Sequence, residues 1–302
     1  MDSESFVTQN FLFASREPTD LAYGVKSQAP KRRTRRDVPA HKKLGSTIKI
    51  CCLGYFSIRR AGEIPIKIRM NTRPGALLQL LIAAGPSGID KRQAENLLWP
   101  QNERSGTHGM FDSTLYRLRK LLETDSACRT ELGMIMLDGS VVSIDAWLFD
   151  REVDGILARL RRRSDDLDAG EIAIRSERLL ELYGGPFLAL ETSEPWIIQT
   201  RDRLQAKFVH AIKEVGDFWQ ASARWDRAAL LYEQVLERDN LAEEIYRELI
   251  RCRLARREYA EALRVFKRCF DILTLVLGVT PSEETEALYQ HALIAQTKAP
   301  RV

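Results

Sequence analysis

A chain of 302 residues with 44% hydrophobic and 29% charged residues is long enough for two domains with ordinary cores, which excludes a wholly disordered chain. The net charge of +4 is small but uneven: residues 1–45 carry nine Lys/Arg against five Asp/Glu, 46–150 thirteen against eleven, and 151–302 twenty-four against twenty-six. Five cysteines without CxxC spacing argue against a disulfide framework and suit thiols used as small hydrophobes in a reducing compartment. No run of about eighteen apolar residues offers a membrane span. The opening MDSESF is acidic where a signal peptide is basic, so the expected location is the cytoplasm.

Residues 1–45 lack sustained periodicity and end in KRRTRRDVPAHKK. Lys31, Arg32, Arg33, Arg35 and Arg36 crowd a stretch that cannot bury itself. It reads as an arm lying along phosphates or, equally, as a solvated leader. From Ile48 the runs IKICCL, YFSIRR and IPIKIR predict a small antiparallel sheet. A helix over residues 73–84, stopped by Gly85-Pro86, precedes a second over 90–99 with Asp90 as N-cap and Pro100 as terminator.

The third helix, over residues 105–122, organises this half. Phe111, Leu115, Leu118 and Leu122 fall on one narrow stripe. The opposite face carries Gly109, Ser113, Tyr116, Arg117 and Lys120, with Asp112 and Arg119 on a flank. Such a helix can seat on a core and lie in a DNA groove, although any amphipathic helix with a solvated face shows the same pattern. MIML-DG-SVVSI follows and reads as a hairpin turning at Asp138-Gly139.

The strings TRPGALLQLLIAAGPSGIDKRQAENLLWP, LYRLRKLL and VVSIDAWLFD resemble the OmpR/PhoB-type winged helix as it occurs in the antibiotic-regulatory-protein class of bacterial transcriptional activators, over about residues 47–150. The resemblance implies that Arg117 faces DNA and that Arg119 makes a phosphate or base contact. It also implies groove-facing roles for Thr114 and Tyr116. Pro100, Gln101, Asn102, Glu103 and Arg104 match the loop such regulators present to RNA polymerase. Departures are Gly106 and Gly109 early in the helix, Asp112 where that class often has a basic residue, and a wing tip, Asp138-Gly139-Ser140, without arginine.

The second half reads as helices over 147–163, 171–183, 194–223, 225–237, 242–256, 259–277 and 283–296. Trp225, Ala228 and Tyr232 recur 34 residues later as Tyr259, Ala262 and Phe266, the period and spacing of tetratricopeptide helix pairs. LYGGPFLALETSEPWIIQTRDRLQAKF, LERDNLAEEIYRELIRCRLARREYAEALRVF and LGVTPSEETEALYQ resemble the bacterial transcriptional activator domain of the same regulator class.

Neither HExxH, zinc spacing nor GxxxxGK[ST] occurs, and the carboxylates lie among Arg and Lys, so no cofactor, metal or enzyme activity is expected. The expected fold is mainly α: a basic arm over 1–45, a winged helix-turn-helix α+β domain over 46–149, and an all-α tetratricopeptide-like repeat domain over 150–302. The expected function is sequence-specific binding of double-stranded DNA to regulate transcription. Ser113, Tyr116 and Arg117 would read bases and Arg119, Lys120 and the arm would contact phosphates, with homo-oligomers on DNA and RNA polymerase as partners and no membrane. The alternative is a protein-interaction scaffold whose winged helix no longer binds DNA.

Overall fold

Ile48, Ile50 and Ile58 sit at alternate positions of two short strands and bury one side of a sheet against helices. A computed structural model describes residues 48–60, 62, 64–100, 107–162, 168–191 and 194–298. Among these the fold is mainly helical, with two small sheets in the first half. Strand β1 (Ile48–Cys51) pairs antiparallel with β2 (Ser57–Arg60), which pairs with β3 (Ile64–Pro65). Helix α1 (Arg73–Ala84) opens on a Thr72 cap whose Oγ1 accepts from the Gly75 amide, with Pro74 in its first turn. It ends at Gly85, whose φ of 81° suits a residue without Cβ.

Strand β4 (Ile89–Asp90) leads into α2 (Lys91–Leu98), and the expected cap is in place: Asp90 Oδ1 accepts from the amides of Arg92 and Gln93 at 2.9 and 3.1 Å. Helix α3 (Thr107–Leu122) follows. Strands β5 (Cys128–Glu131) and β6 (Met134–Leu137) form a hairpin, and β4 pairs on the free edge of β6. Strand β7 (Val142–Ile144) returns to the first sheet and lies parallel to β1, giving the order β3-β2-β1-β7.

The hairpin is one strand earlier than its sequence suggests. MIML pairs with Cys128–Glu131 through Leu132-Gly133, both at positive φ (50° and 81°), not with the strand after Asp138-Gly139. The Asp138 carboxylate accepts from the Ser140 amide and hydroxyl and pairs with Arg129. Its backbone carbonyl accepts from the amides of Val141 and Val142, so the turn sends the chain across to β1. Asp-Gly is strong hairpin chemistry locally, but pairing of Val142 with Ile48 overrides it.

Helices α4 (Asp145–Arg161), α5 (Ala169–Leu182), α6 (Pro195–Ala221), α7 (Trp225–Leu236), α8 (Glu243–Ala255), α9 (Tyr259–Ile272) and α10 (Glu283–Lys298) make up the second half. A π-helical turn, Leu273–Leu277, extends α9. Pro195 occupies the first turn of α6 and Trp196 is buried beneath it, the structural role its Glu-Pro-Trp string suggests. The 34-residue repeat extends to the backbone: Ala223 and Arg257, 34 apart, both adopt left-handed φ (55° and 60°) just before α7 and α9. Gly216 of α6 faces Tyr232 of α7 so closely that a Cβ there would collide with the phenol, whose oxygen accepts from Gln220 Nε2 at 3.0 Å.

The two halves share a core, a single buried cluster that includes residues from Ile48 to Leu273. Tyr183 stacks on Phe208 with centroids 3.9 Å apart and Phe149 packs beside both. At the join, the Asp145 carboxylate accepts from the amides of Cys52 (2.8 Å), Leu53 (3.1 Å) and Ala146 (2.7 Å), and from the Cys52 thiol (2.9 Å). Burial raises the pKa of Asp145 and that of Cys52, against the hydrogen bonds that favour the carboxylate. Trp147 Nε1 donates to the Ile82 carbonyl at the end of α1. Gly54, at φ 88°, passes so close to Gly184 that a Cβ would strike its carbonyl.

Candidate nucleic-acid interface

The apolar stripe of α3 is seated as its spacing dictates: Phe111, Leu115, Leu118 and Leu122 are all buried. Helix α1 lies beneath it, and Trp99 at the end of α2 meets Phe111 edge-on at 6.3 Å. Arg73 donates to the Leu98 carbonyl and stacks over Trp99, fixing α2 against the start of α1. At the far end of α3, Arg60 of β2 binds Glu123 at 2.6 Å and the Leu122 carbonyl at 3.3 Å. The helix is therefore clamped at both ends by groups outside it.

Its outer face carries Ser113, Tyr116, Arg117 and Lys120, all exposed. The Lys120 ammonium lies 5.1 Å from the Tyr116 ring centroid. The neighbouring Tyr116 hydroxyl raises the lysine pKa above its ordinary value. Arg117 has no ion-pair partner among the described residues, which leaves its five donors for a ligand. Asp112 beside them pairs with Lys91 Nζ of α2 at 2.6 Å, so the carboxylate on this face has a cation next to it.

Two residues assigned to DNA by resemblance face elsewhere. Thr114 is only 6% exposed, and its hydroxyl donates to the Met110 carbonyl at 2.8 Å. It sits about 60° from Phe111 on the helix, at the edge of the buried stripe, so it is a packing residue. Arg119 sends Nη2 and Nε to the Cys128 carbonyl at 2.9 and 3.3 Å and ties α3 to the start of β5. These bonds use two of the five guanidinium donors and make Arg119 a brace within the fold. Of the loop matched to polymerase contact, Pro100 is exposed, whereas Gln101, Asn102, Glu103 and Arg104 lie outside the described residues, as do Lys31, Arg32, Arg33, Arg35 and Arg36.

The hairpin tip is a feature that the sequence does not flag. Leu132 projects fully into solvent from the first turn position, a site where a left-handed backbone favours Gly or Asn. The Gly133 carbonyl accepts from the Lys91 amide at 2.9 Å. Lys91 thus touches the tip through its backbone and α3 through its side chain, placing hairpin and helix side by side. The one local signal is the Arg-Thr-Glu run before Leu-Gly, too polar to read as a strand by itself.

No group of three or more His, Cys, Asp or Glu side chains among the described residues could hold a metal ion. Nor is any described helix long and apolar enough to cross a membrane. The buried thiols pack as hydrophobes, and burial pushes Cys128 and Cys269 up to about 12.

Residues 144–293 match the bacterial transcriptional activator domain, so the match begins at the end of β7 and takes in α4 to α10. The structure resembles that of EmbR from Mycobacterium tuberculosis, solved in complex with a low-affinity phosphopeptide, with a TM-score of 0.57 over 85% of this chain and 67% of that one. At 18% identity the likeness is one of fold. No curated protein matches the sequence. The matched domain spans about half of the chain, and the solved structure adds a shared fold.

Proposed function

We propose that the protein is a sequence-specific DNA-binding transcription regulator of the cytoplasm, acting as an activator, in which residues 48–144 work as an OmpR/PhoB-type winged helix. Helix α3 enters the major groove, Ser113, Tyr116 and Arg117 address base edges, and Lys120 takes the backbone. The observation that carries this reading is the contrast on α3: Arg119 is bound to a carbonyl, whereas Arg117, two residues earlier, is exposed and unpaired among the described residues. A bidentate arginine–guanine pair supplies about 1–3 kcal/mol of discrimination. The β5–β6 hairpin lies beside α3 as the wing, with Leu132 at its tip. Lys31, Arg32, Arg33, Arg35 and Arg36 would bind further phosphates, and residues 100–104 would face RNA polymerase.

Gel shifts of the full chain against its own upstream region and against random duplex, each at two salt concentrations, test the reading. Wild-type protein should prefer the specific site, and Arg117→Ala should erase the preference while leaving non-specific binding. Removing residues 1–43 should weaken binding to both duplexes alike and flatten the log–log salt slope by roughly 0.9 for each phosphate no longer neutralised. Equal affinity for all duplexes, with or without Arg117, overturns it and leaves the scaffold reading.

A further inference from the structure

Large apolar side chains are exposed singly over most of the described surface, but five crowd the ten residues from Phe270 to Val279. They are Phe270, Leu275, Val276, Leu277 and Val279, and Leu275 is 84% exposed. Beside them a groove of about 550 Å³ runs between α9 and α10, walled by Leu263, Phe266 and Phe270 on one side and Tyr289 and Leu293 on the other. In a helical stack each pair covers the apolar face of the one before, and a terminal pair normally turns a polar face outward. Here the end of α9 and the turn after it present an apolar cluster beside the groove, which marks an interaction surface.

We infer that this face is the contact between two copies of the chain, related by a two-fold axis. Leu263, Lys267, Asp271 and Leu275 recur at four-residue steps along α9 and into the π turn, and so form one stripe. The stripe reads apolar, basic, acidic, apolar, and it is complementary to itself when reversed. Laid antiparallel about an axis near position 269, Leu263 meets the partner's Leu275 and Lys267 meets the partner's Asp271. Both pairings arise from one register, and a parallel arrangement would set Lys267 against the partner's Lys267. Within one chain Lys267 and Asp271 are 3.4 Å apart and well exposed, a pair that gives up little by exchanging partners. Glu286 on the opposite wall of the groove supplies a further carboxylate to an incoming lysine.

Sedimentation velocity of the full chain without DNA, from about 1 to 100 μM, tests this apart from any DNA binding. Wild-type protein should approach twice the monomer mass. Leu275→Lys, and Val276→Asp as a second variant, should weaken association at least tenfold with unchanged circular dichroism, because both side chains already face water. Lys267→Asp alone should weaken it as well, and combining it with Asp271→Lys in the same chain should restore it. A wild-type chain that stays monomeric, or a dimer indifferent to Leu275→Lys and Val276→Asp, overturns the interface. A charge exchange that fails to restore the dimer overturns the two-fold antiparallel register.

Discussion

The helical half and the sheet-bearing half use their arginines differently. In the first, Arg175 spans Glu152 and Glu171, Arg253 spans Glu233 and Glu258, and Arg201 gathers the carbonyls of Phe187, Leu188 and Glu191. In the second, Arg60 and Arg73 brace α3 and α2 from outside, Arg119 ties α3 to β5, and Arg117 is exposed without a partner among the described residues. A guanidinium can lock a scaffold or read a ligand, and the partner it already holds decides which. The difference teaches that an interface is found by subtraction, from the donors that folding has not consumed.

The sharpest way to break this contrast is to cut the join between the halves. Asp145→Ala strands the amides of Cys52 and Leu53 and the Cys52 thiol, and should cost about 3 kcal/mol in urea unfolding. A loss near zero would mean the halves are not coupled through this carboxylate. Next in size, Arg117→Ala should cost about 1–3 kcal/mol in site discrimination and nothing in thermal stability. Arg119→Ala should do the reverse, lowering stability by about 1 kcal/mol as its bonds to Cys128 are removed. Identical behaviour of the two variants would dissolve the distinction between brace and reader.

Glu243 offers a test by pH. Burial works to raise its pKa, but bonds from the Ser282 amide and hydroxyl and from Thr285 outweigh it, so the net shift is downward. A carboxylate with a lowered folded pKa stabilises above its unfolded value, and that stabilisation disappears as pH falls through the folded one. Glu243→Gln should therefore cost about 1 kcal/mol at pH 7, with the difference from wild type shrinking as pH falls below the ordinary glutamate range. The smallest expected effect is at the hairpin tip, where Leu132→Asn relieves a left-handed leucine and should raise stability by about 0.5 kcal/mol in thermal or urea unfolding.

What the sequence shows of this molecule is mostly what repeats within a few residues. The buried stripe of α3, the Asp90 cap, the Gly85 stop and the 34-residue echo from Trp225 to Tyr259 all follow from local spacing, and all are present. Thr114 shows where family resemblance misleads and helical angle does not: it lies on the edge of the same stripe as Phe111. The hairpin is displaced because β7 answers to β1, more than ninety residues earlier, a pairing that local turn chemistry does not register. The role of Arg119 depends on a carbonyl brought near by the fold, and no spacing rule anticipates it.

The passage from β7 straight into α4 has a practical consequence. Ile144 ends a strand of the first sheet and Asp145 begins the next helix, so no spacer separates the sheet-bearing half from the helical half. A fragment cut after Ile144 would lack the carboxylate that holds Cys52 and Leu53 and the indole that reaches Ile82. Such a piece would be a poor stand-in for binding selections. Equally, any displacement of α4 is passed through β7 to the first sheet with no slack to absorb it.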